Sequence, residues 1–117
     1  MLVLFDKNVP VGVRQFLPKH SVRAVVEMGW HPQLGNGELL EKAEATGFDV
    51  LVTCDQNIKY QQNLSARKLA LVVLGSNIWP IVRVYASQIA STVDGVKTGG
   101  LEFIEIPSPS KKQGWSS

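Results

Sequence analysis

Three carboxylates stand where predicted strand-helix units change from one element to the next: Asp6, Glu38 and Asp55. Asp6 follows the apolar run 2–5 and Asp55 follows the run 50–54, two stretches whose length and β-branched content are typical of buried parallel strands. Glu38 opens the helix predicted between them. Because the carboxyl ends of parallel strands meet at one edge of a sheet, this spacing predicts that the three carboxylates gather there.

Carboxylates that converge at such an edge are suited to binding magnesium. Mg²⁺ prefers oxygen ligands and keeps several waters, so two or three carboxylates suffice when a substrate phosphate completes its shell. The metal then activates water and neutralises the charge that develops on a phosphodiester. Asn57 can add a neutral oxygen ligand, and Asn8 is close enough in the sequence to orient Asp6 and is also predicted to bind the substrate.

Each of these carboxylates also has a purely structural interpretation. An aspartate after a strand commonly caps a helix, and a glutamate in a first helical turn commonly interacts with the helix dipole. An aspartate at the end of both strands strengthens the hypothesis of a joint functional site, and both interpretations stay open.

Four other residues can contact a substrate. His31 stands in a turn-rich loop predicted at the same edge, where it can touch the substrate or transfer a proton, or be an ordinary exposed histidine. The neighbouring Trp30 can stack on a base or cover the core. Lys59 and Arg67 belong to a loose basic group that can meet a phosphate backbone or form a solvated face.

The elements that position these residues alternate between strand-like and helix-like patterns, which predicts a parallel α/β sheet. Strands are predicted at 2–5, about 22–27, 50–54, 69–74 and 101–106, the last as an edge strand with acidic residues. Helices are predicted at about 8–17, 37–46, 57–64 and 78–93. This order predicts a three-layer αβα sandwich with a mostly parallel sheet of about five strands. Residues 1–107 form one domain, and the polar residues 108–117 form a flexible tail.

The composition is that of an ordinary globular protein. The 117 residues are 44% hydrophobic and 19% charged, and no apolar run approaches the ~18 residues needed to span a bilayer. The first residues lack a basic leader and reach Asp6 too early for a signal peptide, so we expect a cytoplasmic protein. Cys54 is the one cysteine, which excludes an internal disulfide, and its apolar surroundings predict a small core residue. The net charge of +2 neither requires nor excludes nucleic acid.

Three segments resemble a known family: LFDKNVP at 4–10, GELL at 37–40 and LVTCDQNI at 51–58. Over roughly residues 1–80 the chain resembles short bacterial PIN-like proteins related to toxin nucleases. The resemblance implies a three-layer αβα nuclease that binds magnesium or manganese through acidic side chains and cleaves RNA, in many cases as a toxin paired with an antitoxin.

Carried over position by position, the resemblance implies metal binding by Asp6, Glu38 and Asp55. Asn57 and Lys7 stand where many relatives have a further acid. The sequence therefore has three clear carboxylates in place of four. Lys7 can also pair with Asp6 and weaken binding of the metal ion.

Three functions are compatible with these residues. The first is a metal-dependent ribonuclease of toxin type, acting on RNA, with a cognate antitoxin or a second copy of the chain as partner and no membrane association. The second is a PIN-like module without metal chemistry that binds RNA or a partner protein. The third is a phosphoacceptor domain with Asp55 as the acceptor, which ranks last because Asp6 stands alone after the first strand and Ile106-Pro107 supplies no lysine after the fifth.

Overall fold

The computed structural model describes residues 1–31, 33–58 and 67–107. The strands are β1 (Leu2–Phe5), β2 (Ser21–Ala24), β3 (Val50–Thr53), β4 (Ala70–Leu74) and β5 (Leu101–Ile104). The α-helices are α1 (Asn36–Thr46), α2 (Trp79–Val82) and α3 (Ala86–Gly95), and 3-10 helices span Val11–Phe16, Val25–Met28 and Arg83–Tyr85. Most of the helix predicted at 57–64, Lys59 with it, and the tail predicted at 108–117 lie outside the described residues.

The five strands form one sheet in the order β2-β1-β3-β4-β5, and every neighbouring pair is parallel. The prediction of an α/β fold with a parallel sheet of about five strands is thus confirmed. Its central strands are fully buried because both faces are covered, which explains their continuous apolar runs.

Alternate side chains of the sheet supply two separate cores. Val3, Val50 and Val72 point to the face covered by the first 3-10 helix and α3. Leu4, Leu51 and Leu71 point to the opposite face, which is covered by α1. A two-residue period along the strands therefore produces three layers.

Several predicted boundaries are wrong. The first helix begins after Pro10 as a 3-10 helix, and Asn8 does not cap it, because the residue before a proline is driven towards extended geometry. The second strand ends at Ala24, where Glu27 accepts the Ala24 N–H at 2.8 Å and the chain turns into the second 3-10 helix. The helix predicted at 78–93 is interrupted by the 3-10 segment Arg83–Tyr85.

The two margins of the sheet are β2 and β5, so the prediction that the last strand lies at an edge is confirmed. Within the described part of the chain, no helix has the length and apolar character that crossing a membrane requires.

Candidate functional site

The strand order reverses at β1. From β1 the chain first adds β2 on one side and then returns to add β3 on the other. Asp6 follows β1 directly, and Asp55 follows β3 by two residues. In an open parallel sheet the loops diverge at this point and leave a crevice. A cavity of about 360 Å³ lies there, and both aspartates line it.

The rest of the cavity wall comes from three further segments. Lys7 and Asn8 come from the loop after β1, His31 from the loop after the second 3-10 helix, and Gly35 and Asn36 from the start of α1. The apolar residues Val25, Leu34 and Leu39 complete the wall, which therefore combines charged and polar residues with an apolar part. Such a lining suits a small charged ligand.

Thr53 links the two aspartates. Its side chain is fully buried, its hydroxyl donates to Asp6 Oδ2 at 2.7 Å, and the same oxygen accepts the Asp55 N–H at 3.0 Å. One side chain at the end of β3 therefore fixes where both acidic residues stand. The sequence interpretation treated Thr53 as a strand residue only. The available signal was a hydroxyl inside a buried strand, because a buried polar group needs partners.

Asp6 is the more enclosed of the two acids. It is 9% exposed, and its Oδ1 accepts the N–H of Lys7 at 2.8 Å while Oδ2 accepts from Thr53. Asn8 lines the same cavity, but its Oδ1 accepts the N–H of Cys54 at 3.1 Å. The amide of Asn8 thus fastens the loop after β1 to the end of β3.

Asp55 is half-buried and bonded on both oxygens. Oδ1 accepts the N–H of Asn57 at 3.0 Å, which closes a local turn, and Oδ2 accepts from Asn36 Nδ2 at 3.0 Å. Asn57 takes part through its main chain, and its exposed side chain does not line the cavity. Asn36 is the contact that sequence reasoning missed.

Glu38 is not brought to the cavity. Asn36 and Leu39 line it, and they are three residues apart on one face of α1. Glu38 is two residues beyond Asn36, and this rotates it away, so its exposed side chain stands in the first turn of the helix. A glutamate in this position interacts favourably with the dipole of the helix, which is the structural interpretation of Glu38.

His31 and Trp30 are neighbours in the sequence, but only His31 lines the cavity. The Nδ1 of His31 accepts the N–H of Gln33 at 3.1 Å. Trp30 packs against the core beneath α1, with Lys42 Nζ 5.9 Å from its ring centroid. The structure thus favours the core-covering interpretation of Trp30.

Arg67 lies at the opposite end of the sheet. It precedes β4, and the carbonyl of its neighbour Lys68 accepts the N–H of Gly99 just before β5. Because all strands run in one direction, residues that precede a strand lie at the amino edge and those that follow it at the carboxyl edge. Arg67 is therefore separated from the Asp6 and Asp55 cavity by the length of the sheet.

The Cys54 thiol lies in a half-buried environment that disfavours its thiolate form. Burial, and then the charge of Asp6, raise the pKa of its thiol to about 12. Its Sγ donates to the carbonyl of Ser76 at 3.4 Å. The sequence predicted a small core residue, and the structure shows Cys54 half-buried and packed against the edge of one core.

The cavity fits a divalent cation in one mode only. Across 1–31, 33–58 and 67–107, no three His, Cys, Asp or Glu side chains are grouped to hold a metal ion, so an all-protein cage is not formed. Two carboxylates at one cavity do fit a cation whose remaining ligands are water and substrate phosphate. Each carboxylate oxygen accepts a hydrogen bond from the protein and retains acceptor capacity.

Comparisons with protein-family models, with curated proteins and with solved structures give no match. The resemblance to PIN-like proteins therefore stays a prediction.

Proposed function

We propose that the chain is a metal-dependent ribonuclease whose active site is the cavity lined by Asp6 and Asp55. The observation that carries the proposal is that these two aspartates line one crevice where the strand order reverses, with Thr53 bonded to the carboxylate of Asp6 and to the main-chain N–H of Asp55. RNA as the substrate comes from the resemblance of residues 4–10, 37–40 and 51–58 to PIN-like nucleases. Mg²⁺ or Mn²⁺, if held there by Asp6 and Asp55, would activate a water and neutralise charge that develops on the phosphodiester.

The residues of the cavity then have distinct roles. Asp6 and Asp55 hold the cation, while Thr53 and Asn36 keep the two carboxylates in position through their hydrogen bonds. Lys7 contributes positive charge to the wall that receives the phosphodiester. His31 reaches the same space and can protonate the leaving oxygen.

The test is Asp55→Asn, which keeps the side-chain shape but removes its charge. Calorimetric titration of Mn²⁺ should show binding to the wild-type protein and loss of binding to the variant, with circular dichroism confirming that both fold. Cleavage of single-stranded RNA should fall in parallel. Glu105→Gln is the matched control, because Glu105 is exposed and does not line the cavity. A folded Asp55→Asn protein that still cleaves like the wild type would remove the proposal.

The proposal extends to a toxin of a toxin-antitoxin pair, with an antitoxin protein or a second copy of the chain as partner. Expression of the wild-type chain should then arrest growth, and Asp55→Asn should not. Arrest by both would separate toxicity from cleavage.

A second function is favoured by a specific observation. All four oxygens of Asp6 and Asp55 already accept hydrogen bonds from the protein, and no third acid joins them within the described residues. A module that binds RNA without metal chemistry accounts for this arrangement. It predicts RNA binding that a chelator leaves unchanged, together with no cleavage in Mg²⁺ or Mn²⁺.

A further inference from the structure

A second groove adjoins the candidate active site. Its volume is about 250 Å³, and it shares Asp6 and Lys7 with the first cavity. The buried side chains of Phe5 and Val9 contribute to its lining, so its interior is apolar where it meets the core. We name this space the valine groove, after the two exposed valines that line it.

Those valines are Val11 and Val26, which are 85% and 81% exposed. Single exposed apolar residues are ordinary, but these two come from different 3-10 helices and line the same groove beside a polar cavity. Such a combination is typical of a ligand site, where apolar walls adjoin a few polar groups.

An ion pair links the walls of the groove. Arg14 of the first 3-10 helix donates to Glu27 of the second at 2.6 Å, and Glu27 also accepts the N–H of Ala24 at 2.8 Å. These two hydrogen bonds, from Arg14 first and Ala24 second, hold the pKa of Glu27 below its ordinary value. An exposed ion pair therefore joins the two 3-10 helices that border the groove.

We propose that the valine groove receives the base of the nucleotide next to the phosphodiester in the Asp6 and Asp55 cavity. This inference rests on the proposed function. A nucleotide joins an apolar ring to an anionic phosphate, and the two spaces offer apolar walls that continue into a cavity lined by Lys7. The volume lies below the ~300 to 1,000 Å³ of pockets for drug-sized ligands, which matches a single nucleoside unit.

The charges around the groove favour a nucleotide over an apolar segment of a partner protein. Asp6, Lys7, Arg14 and Glu27 all line it. Asp6 is already buried, but a dry protein interface would have to remove the exposed Lys7, Arg14 and Glu27 from water, which is costly. Single-stranded RNA keeps its backbone wet while one base contacts the apolar walls.

The experiment compares two oligomers in EDTA: a labelled RNA hexamer and an abasic oligomer of the same length and charge. Fluorescence anisotropy gives the ratio of the two affinities for wild type, Val11→Asp and Val26→Asp. Val84→Asp is the matched control, because Val84 is 77% exposed and does not line the groove. All three positions are exposed enough to tolerate the change, and circular dichroism checks folding. The ratio cancels the general repulsion that a new carboxylate exerts on any oligonucleotide.

We expect the wild type to prefer the hexamer by ~5- to 30-fold, the worth of about one base contact. Val11→Asp and Val26→Asp should bring the ratio close to one, and Val84→Asp should leave it unchanged. A ratio that the groove variants do not alter overturns the inference, as does a wild type that does not prefer the hexamer. A dimer that dissociates on Val26→Asp in sedimentation also overturns it, because the groove would then be a protein contact.

Cleavage of the same hexamer in Mn²⁺ separates this inference from the ribonuclease proposal. If the groove variants cleave the hexamer like the wild type, the ribonuclease proposal stands and the inference about the groove is wrong. Binding that depends on the groove, without cleavage, retains the groove and removes the ribonuclease.

Discussion

The two ends of the parallel sheet both carry charged residues around a cavity, but they use the charges differently. At the carboxyl edge, Asp6 and Asp55 are held by donors from several segments and line a common space. At the amino edge, a cavity of about 480 Å³ is lined by acidic and basic side chains, among them Glu44 and Arg67. There Glu44 Oε1 accepts the N–H groups of residues 68 and 69, at 3.2 and 3.3 Å, just before β4 begins.

The carboxylates at the two edges have different roles. At the amino edge, a carboxylate satisfies main-chain donors at the start of a strand, which is a structural task. At the carboxyl edge, the protein satisfies the carboxylates themselves, and their remaining acceptor capacity faces a cavity. A charged cleft is therefore a candidate site only where the scaffold orients the charges towards it.

The largest effect on cleavage is expected when one carboxylate charge is removed at each end of the sheet in turn. We expect Asp6→Asn to lower RNA cleavage by ~1,000-fold or more, because a metal ligand supports several kcal/mol of transition-state stabilisation. Glu44→Gln should leave cleavage within about threefold of the wild type. Initial rates in saturating Mn²⁺, measured on folded proteins, decide the matter. Equal losses in both variants would contradict the distinction between the two ends.

The next effect concerns the hydroxyl that joins the two acids. Thr53→Val keeps the shape of the side chain but leaves Asp6 Oδ2 and the Asp55 N–H without this partner. We expect the free energy of unfolding to fall by about 1 to 3 kcal/mol, and cleavage to fall by ~10- to 100-fold. Urea unfolding and initial rates measure the two quantities.

Thr46→Val is the control for this substitution. Thr46 donates to the carbonyl of Lys42 at 2.6 Å on the exposed side of α1, away from either acid. Its stability should change by less than about 0.5 kcal/mol and its cleavage rate should be unchanged. If Thr53→Val behaves like Thr46→Val, the hydroxyl does not position the acids.

The fold could be predicted because its signals are local. The three central strands β1, β3 and β4 are apolar runs closed by polar or small residues. All five strands were predicted, with boundaries differing by up to three residues. The positions of Asp6 and Asp55 followed from the same runs. The carboxyl edge is a consequence of parallel pairing, and parallel pairing follows from the alternation of strands and helices.

The remaining features of the site depend on rotation and on contacts distant in sequence. The turn signals at the start of α1 identified a helix, but not which of Asn36 and Glu38 faces the cavity, since that depends on how the helix packs on the sheet. The bond between Asn8 and Cys54 joins residues 46 apart in the chain. Arg67 was grouped by charge, and its location is fixed by which end of β4 it adjoins.

A smaller effect tests the rotation of α1. Asn36→Ala should raise the Kd for Mn²⁺ by ~10-fold, because Asp55 Oδ2 loses the amide that orients it. Glu38→Gln should change that Kd by less than about threefold, because the Glu38 side chain does not line the cavity. The sequence predicted Glu38 as a metal ligand. A larger effect of Glu38→Gln than of Asn36→Ala would support that prediction. Calorimetry on the two variants under identical ionic strength compares them directly.

The smallest effect is expected at the amino edge, with Arg67→Met. Arg67 Nε is buried and finds no hydrogen-bond partner among the described residues, so the guanidinium is not fully used by the fold. We expect the free energy of unfolding to change by less than about 1 kcal/mol, since an unsatisfied buried donor offsets the value of its packing. Cleavage and RNA affinity should stay within about twofold of the wild type at 150 mM salt. A clear loss of RNA affinity with a shallower dependence on salt would instead show that phosphates reach the amino edge, and the substrate path would then have to cross the sheet from one end to the other.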